Sequence, residues 1–259
     1  QAKTLFPYTT LFRSAPIGES RSEHFAAAAT LMLELGLRTG ALQMLKQSVA
    51  EFPHHTPSVD LLLRLYLEER DWAPLATLAD AEGARRLSDP DPAVKAAGER
   101  LVEEATRIFE VELKLPTKAV NAYRRLMLGE PREAQLSRFS QLLDLAGLHQ
   151  EEAAVLERLE TLTGGSDELS LRVATAYGRG GQVERAQEQL ERALREGRST
   201  PRVREVLATI YRSSGNFEAL SELLVAEAHG SDDIDFKVER LSAAARVRAP
   251  ARPPPAATP

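Results

Sequence analysis

Apolar residues recur at helical spacing along most of the chain, and no alternating run bounded by turns makes a convincing strand. Leu61, Leu62, Leu65 and Tyr66 share one helix face, as do Leu156, Leu159 and Leu162. In Leu169–Glu227 one helical hairpin occurs twice. Tyr177 and Tyr211, Gly181 and Gly215, and Ala174 and Ala208 each stand 34 positions apart. A fixed period in this range marks stacked two-helix units. Another step of 34 back reaches Leu143 and Gly147, and one more reaches Phe109, with Leu113 where a glycine would fall. Met32 and Tyr66 keep the same spacing, and Gly36 follows Met32 by four. Tyr66 and Phe109 are 43 apart, so about nine residues are inserted, visible as the turn-rich Ser88-Asp89-Pro90-Asp91-Pro92. The spacing therefore predicts six units, at 22–55, 56–89, 99–132, 133–166, 167–200 and 201–234.

Within a unit the order is apolar, small, aromatic, Gly, Ala, apolar, Ala. The fifth unit shows it in Val173, Ala174, Tyr177, Gly181, Ala186, Leu190 and Ala193. The first unit fits through Ala29, Gly36, Ala41, Leu45 and Pro53. The third fits through Phe109, Ala119, Tyr123 and Pro131, with one extra residue in its turn. This pattern resembles the tetratricopeptide repeat over about 22–234. Units two and six depart from it together. Leu75 and Leu220 replace the small residue of the second helix, and Glu82 and Glu227 replace its last Ala. They share Asp71-Trp72-x-x-Leu75-x-x-Leu78 and Asn216-Phe217-x-x-Leu220-x-x-Leu223, a pattern similar to the Trp/Phe–Leu-rich repeat proteins of large bacterial genomes. The resemblance implies an all-α fold: a right-handed α-solenoid of six hairpins plus a C-terminal helix, about thirteen helices in all. The physical sense is close packing. A Gly closes the first helix by taking a left-handed cap conformation cheaply, and small residues let two helices approach. One hairpin leaves an apolar face bare, so several must stack.

Helix starts are marked by Thr56-Pro57, Asp91-Pro92 and Thr200-Pro201, each a capping side chain before a proline, with Pro131 and Ser166-Asp167 in similar parts. The seam at 84–98 either lengthens a helix or bends the array. After unit six, Asp232–Val247 reads as a helix capped by Ser231 or Asp232, its stripe of Phe236, Arg240, Leu241, Ala244 and Ala245 laid against that unit. The expected organisation is a non-native or disordered segment at 1–21, a repeat domain at 22–247 and a Pro-rich disordered tail at 248–259. Thr4–Ser14 matches all eleven residues of a translated short-read sequencing adapter. The chain starts at Gln1 without a Met, so its natural N-terminus is expected to be missing. The compartment stays open, with the cytoplasm as the default.

Composition narrows the classes. Apolar residues at 43% and charged residues at 27% fit a folded soluble chain, and a net charge of −5 argues against a dedicated nucleic-acid binder. With no cysteine there is no disulfide, thiolate metal site or cysteine nucleophile. The longest mostly apolar run, Phe25–Leu33, is far short of a membrane span. Phosphate loops and hydrolase or zinc motifs are absent. Gly178-Arg179-Gly180-Gly181 sits where the repeat itself demands glycine. His54-His55 is a poor chelate on a loop, and the carboxylates beside His149 (Glu151 and Glu152) suit a helix start. Asp232-Asp233-x-Asp235 lacks the glycine and distal Glu of a calcium loop. No catalytic residue, metal site or cofactor is assigned. Trp72 and its counterpart Phe217 are expected to pack in the core.

What remains is the surface that the resemblance assigns to ligands, where first helices of successive units line a concave face. Ninth positions of the repeat are Arg64 and Arg107, sixth positions Arg138 and Arg172, and Arg179 and Arg212 fall at the thirteenth and twelfth. Guanidinium pairs carboxylate bidentately, so an acidic peptide or partner helix is the expected ligand. Thr30, Gln141, Thr175 and Thr209 occupy other ninth positions, so the Lys/Asn carboxylate clamp of the family is not expected here. The reading is a non-catalytic protein–protein interaction scaffold. The alternatives are the repeat region of a larger truncated enzyme or regulator and, further off, a helical-repeat RNA binder. No nucleic-acid partner and no membrane insertion are expected.

Overall fold

The computed structural model describes residues 19–198 and 200–248. The adapter-like Thr4–Ser14 and the tail beyond Arg248 lie outside them. The described residues are helical and turn-forming with no strand. The chain divides into two compact units, Gln1–Glu130 and Pro131–Pro259.

The first unit holds α1 (Glu19–Glu34), α2 (Arg38–Glu51), α3 (Thr56–Glu69), α4 (Trp72–Leu87), α5 (Pro92–Arg107) and α6 (Pro116–Tyr123). A π-helical turn, Ile108–Glu112, extends α5, and a 3-10 turn, Arg124–Met127, extends α6. The second unit holds α7 (Glu133–Leu145), α8 (His149–Thr163), α9 (Asp167–Arg179), α10 (Val183–Arg195), α11 (Pro201–Ser214), α12 (Phe217–His229) and α13 (Ile234–Arg248). Thirteen α-helices thus fall within the described residues, paired as six hairpins with α13 following.

The backbone of the turns fixes the repeat register. Five residues after each landmark, an amide donates back to the landmark carbonyl. The pairs are Leu37 to Met32 (2.8 Å), Asp71 to Tyr66 (2.9 Å), Leu148 to Leu143 (2.9 Å), Gln182 to Tyr177 (2.8 Å) and Asn216 to Tyr211 (2.9 Å). This is the Schellman closure of a helix end. Its left-handed residue is Gly36, Gly147, Gly181 or Gly215 in four hairpins and Arg70, at φ 56°, in the second. The third hairpin spreads the same closure over one more residue. There Leu115 donates to Phe109 at 2.7 Å and Lys114 takes φ 55°. The π-helical turn just before it absorbs the extra residue seen in the sequence.

The core follows the pattern. Tyr66, Phe109, Leu143, Tyr177 and Tyr211 are buried, as are the small Ala41, Ala119, Ala153, Ala186 and Ala193. Leu75 and Leu220, the larger residues of units two and six, are buried too. The insertion at 84–98 lengthens both α4 and α5 instead of forming a loop. These helices cross at two glycines. A Cβ on Gly98 would lie 2.9 Å from Arg86 Cβ and from the Leu87 nitrogen, and one on Gly83 would lie 2.8 Å from Val102 Cγ2. Only hydrogen fits at that crossing.

Several sequence expectations are corrected. Thr56 is the first residue of α3 and not its cap; His55 precedes it, and its Nδ1 lies 2.8 Å from Ser58 Oγ. Asp91, Ser166 and Thr200 do cap, accepting from Ala93, Leu169 and Val203. The cap of α13 is Asp233, whose carboxylate accepts from the Asp235 and Phe236 amides, because the helix starts two residues later than expected. Leu241 and Ala245 are exposed on α13, so the packed face is formed by its other residues, Ala244 foremost. Phe217 is 53% exposed and Trp72 only half-buried, so their shared position at the start of the second helix is not a core position.

Candidate functional site

Side-chain bonds between consecutive hairpins repeat with the backbone. The Tyr211 hydroxyl donates to Glu191 on α10 at 2.8 Å. The Tyr177 hydroxyl is bonded to Glu157, the equivalent residue of α8. In both cases the glutamate stands 20 residues earlier in the chain. Burial, then the neighbouring carboxylate, pushes both phenols above the ordinary tyrosine range. In the first unit the equivalent residue for Tyr66 is Lys46. Its ammonium lies 5.5 Å from the ring centroid and makes a cation–π contact.

Buried carboxylates tie the second helices to their neighbours. Glu160 on α8 accepts from Ser170 Oγ (2.7 Å), Gln189 Nε2 (2.8 Å), Arg192 Nη2 (2.8 Å) and Arg198 Nη1 (2.6 Å). Burial alone would raise its pKa. The bonds from Ser170, Gln189 and Arg198 outweigh that and hold it below the usual glutamate range. Glu82 on α4 likewise stays low despite burial, held by Arg85 and Arg86, while Arg86 reaches Asp60 on α3 at 2.6 Å. Glu227 pairs with Arg204 at 3.2 Å and with Arg240 of α13 at 3.3 Å. Glu82 and Glu227 are the two residues that replace the expected Ala. Each of these two carboxylates meets two arginines: Arg85 and Arg86 follow Glu82 at i+3 and i+4, a spacing readable on a helix, whereas packing brings Arg204 and Arg240 to Glu227.

The six sequence-predicted arginines are placed as follows. In the first unit Arg64 on α3 is exposed, and Arg107 at the end of α5 is paired with Glu104 (2.8 Å) and Glu112 (3.4 Å). In the second unit Arg138 on α7 is half-buried beside Gln141, with Nη1 3.5 Å from Oε1. Arg172 on α9 donates to Ser140 on α7 at 3.0 Å, which brings these two first helices side by side. Arg179 pairs with Asp144 at 2.7 Å, and Arg212 on α11 is exposed. Arg107 and Arg179 thus have internal carboxylates, whereas Arg172 meets only a neutral hydroxyl.

One group among the described residues has metal-ligand composition. Asp144, His149 and Glu152 bring their ligand atoms within 4.8 Å of one another. His149 Nδ1 lies 3.1 Å from Glu152, and the guanidinium of Arg179 already bonds Asp144. The three groups cluster at the turn between α7 and α8, with Asp144 held by Arg179. Among the described residues no helix is long and apolar enough to cross a membrane.

The closed turns, the buried small residues and the tyrosine–glutamate bridges define a tandem array of helical hairpins that resembles the tetratricopeptide repeat. No model of a protein family matches the chain, and no curated protein matches it. Solved structures do. A chain in the structure of Naa15/Naa10 bound to HypK-THB is 14% identical with a TM-score of 0.53, over 87% of this chain and 34% of that one. A tetratricopeptide repeat protein from Parabacteroides merdae is 14% identical with a TM-score of 0.34, over 92% and 89%. A thermophilic tetratricopeptide protein of Thermus thermophilus is 20% identical with a TM-score of 0.30, over 86% and 98%. At these identities the likeness is one of fold, and the Naa15/Naa10 match carries it.

Proposed function

We propose that this chain is a non-catalytic scaffold that binds an acidic peptide or partner helix along the first helices of its hairpins. The observation that supports this most is the pair Arg138 and Arg172. They occupy the same repeat position on the adjacent helices α7 and α9, and Arg172 is held by a neutral hydroxyl. A guanidinium so placed keeps donors for an incoming carboxylate. Arg212 on α11 extends the basic surface of this unit, and Arg64 offers a similar exposed cation in the first. Arg107 and Arg179 play a lesser part, since a ligand must compete with carboxylates already bound to them.

The test is fluorescence anisotropy of a labelled Glu/Asp-rich peptide against the full chain and against Arg138→Glu/Arg172→Glu. Charge-assisted hydrogen bonds contribute about 1.5–3 kcal/mol each, so the double reversal should weaken binding at least about tenfold with helix content unchanged. Equal binding by both proteins would overturn the reading.

A further inference from the structure

The last helix among the described residues is two-faced. α13 packs on the preceding helix through Ala244, 4% exposed, flanked by half-buried Phe236, Arg240 and Val247. On its other side Ile234 is 74% exposed, Val238 59% and Leu241 43%, with Ala245 exposed beyond them. Their spacing of four, three and four places them on one stripe, about 130° round the helix from the packed face at roughly 100° per residue. Branched apolar residues exposed along one stripe of a helix favour burial against a further surface.

We propose that the stripe joins two copies of the chain through an antiparallel α13–α13 contact. Two features select a second copy as the occupant. The stripe is symmetric along the helix: laid antiparallel, Ile234 faces Ala245 of the copy while Val238 faces Leu241, and the reverse holds across the twofold axis. The charge is complementary in the same register. The first turn carries Asp235 and the last turn Arg246 and Arg248, so antiparallel pairing sets Asp235 beside Arg246 of the second copy, twice over. Parallel pairing would set like charges together. The opposed helix dipoles add to the preference. A single helix pair buries less than the ~1,200 Å² at the lower end of standard interfaces, so the dimer is weak and concentration-dependent.

The experiment is sedimentation equilibrium of the full chain over about a thousandfold range of concentration. The average mass should rise toward twice the monomer value and level there. Leu241→Glu should hold the chain monomeric with its helical circular dichroism intact. Asp235→Arg should weaken dimerisation several-fold, and Asp235→Arg with Arg246→Asp should restore it, a recovery that damage to folding would not produce. Three results would overturn the proposal: a monomer at every concentration, a dimer indifferent to Leu241→Glu, or a mass that climbs past the dimer. The last would indicate head-to-tail association.

Discussion

Replacing Glu160 with Gln tests whether the buried carboxylate holds its hairpins together. Its side chain is 7% exposed, and its two oxygens are shared by donors from α9, from α10 and from the segment after α10. Glutamine keeps the shape but loses the charge. It also turns an NH2 group toward donors, whichever way the amide is set. Breaking a fully buried ion pair costs about 3–5 kcal/mol. Arg198, 17% exposed, is close to that limit, whereas Arg192, 44% exposed, regains water and adds little. The expected loss is about 2–4 kcal/mol at neutral pH, read by urea unfolding and by hydrogen exchange of the α8–α10 amides. The pH dependence gives an independent reading. The folded pKa of Glu160 lies below the ordinary value of 4.5. Its contribution is therefore complete well above pH 4.5 and is lost as the pH falls through the folded value. The gap between wild type and Glu160→Gln should close in acid. A neutral-pH loss under about 0.5 kcal/mol, or a gap constant into acid, would refute the reasoning.

Arg70→Gly should stabilise by up to about 1 kcal/mol in thermal or urea unfolding, because the left-handed conformation costs an L-residue ~1–2 kcal/mol and glycine gives back part of that in unfolded-state entropy. Gly98→Ala should destabilise by about 1–3 kcal/mol, since the new methyl meets backbone and not a movable side-chain tip; an unchanged midpoint would mean α4 and α5 do not cross there. Tyr211→Phe should cost about 1 kcal/mol by removing one of the donors to Glu191, whose Oε1 keeps the Gln187 amide at 2.8 Å, and in wild type the Tyr211 phenol should resist ionisation in a spectrophotometric titration past pH 10, the ordinary value.

Most of the fold was legible because helix, turn and core use residues with strong conformational or volume demands. Tyr177 and Gly181 mark a buried ring and a left-handed closure, and both repeat at a fixed distance. The third hairpin was harder. Lys114 takes the left-handed role without being glycine, and a π-helical turn takes up the added residue, so the sequence showed the shift but not its remedy. Gly98 lies between two units and Gly83 at a position the repeat pattern leaves unspecified, and their closeness depends on two lengthened helices meeting. The long-range charged contacts were hidden for another reason. Glu160 reaches Arg198 across 38 residues and Asp80 reaches Arg125 across 45, distances set by packing and not by any local period. Phe217 misled because its sequence equivalence to Trp72 was real while core burial did not follow from it. Among the six arginines, Glu104 lies one helical turn before Arg107 and was open to reading, whereas Asp144 meets Arg179 across 35 residues and was not.

The central claim is that one hairpin recurs with a conserved closure, and amide-resolved hydrogen exchange tests it directly. The amides of Leu37, Asp71, Leu115, Leu148, Gln182 and Asn216 should all be protected, since each donates back to its landmark carbonyl. Protection at Leu115, with Leu113 where the glycine would fall, is the most telling of the six. Rapid exchange at these positions, or protection that follows some other spacing, would contradict the account.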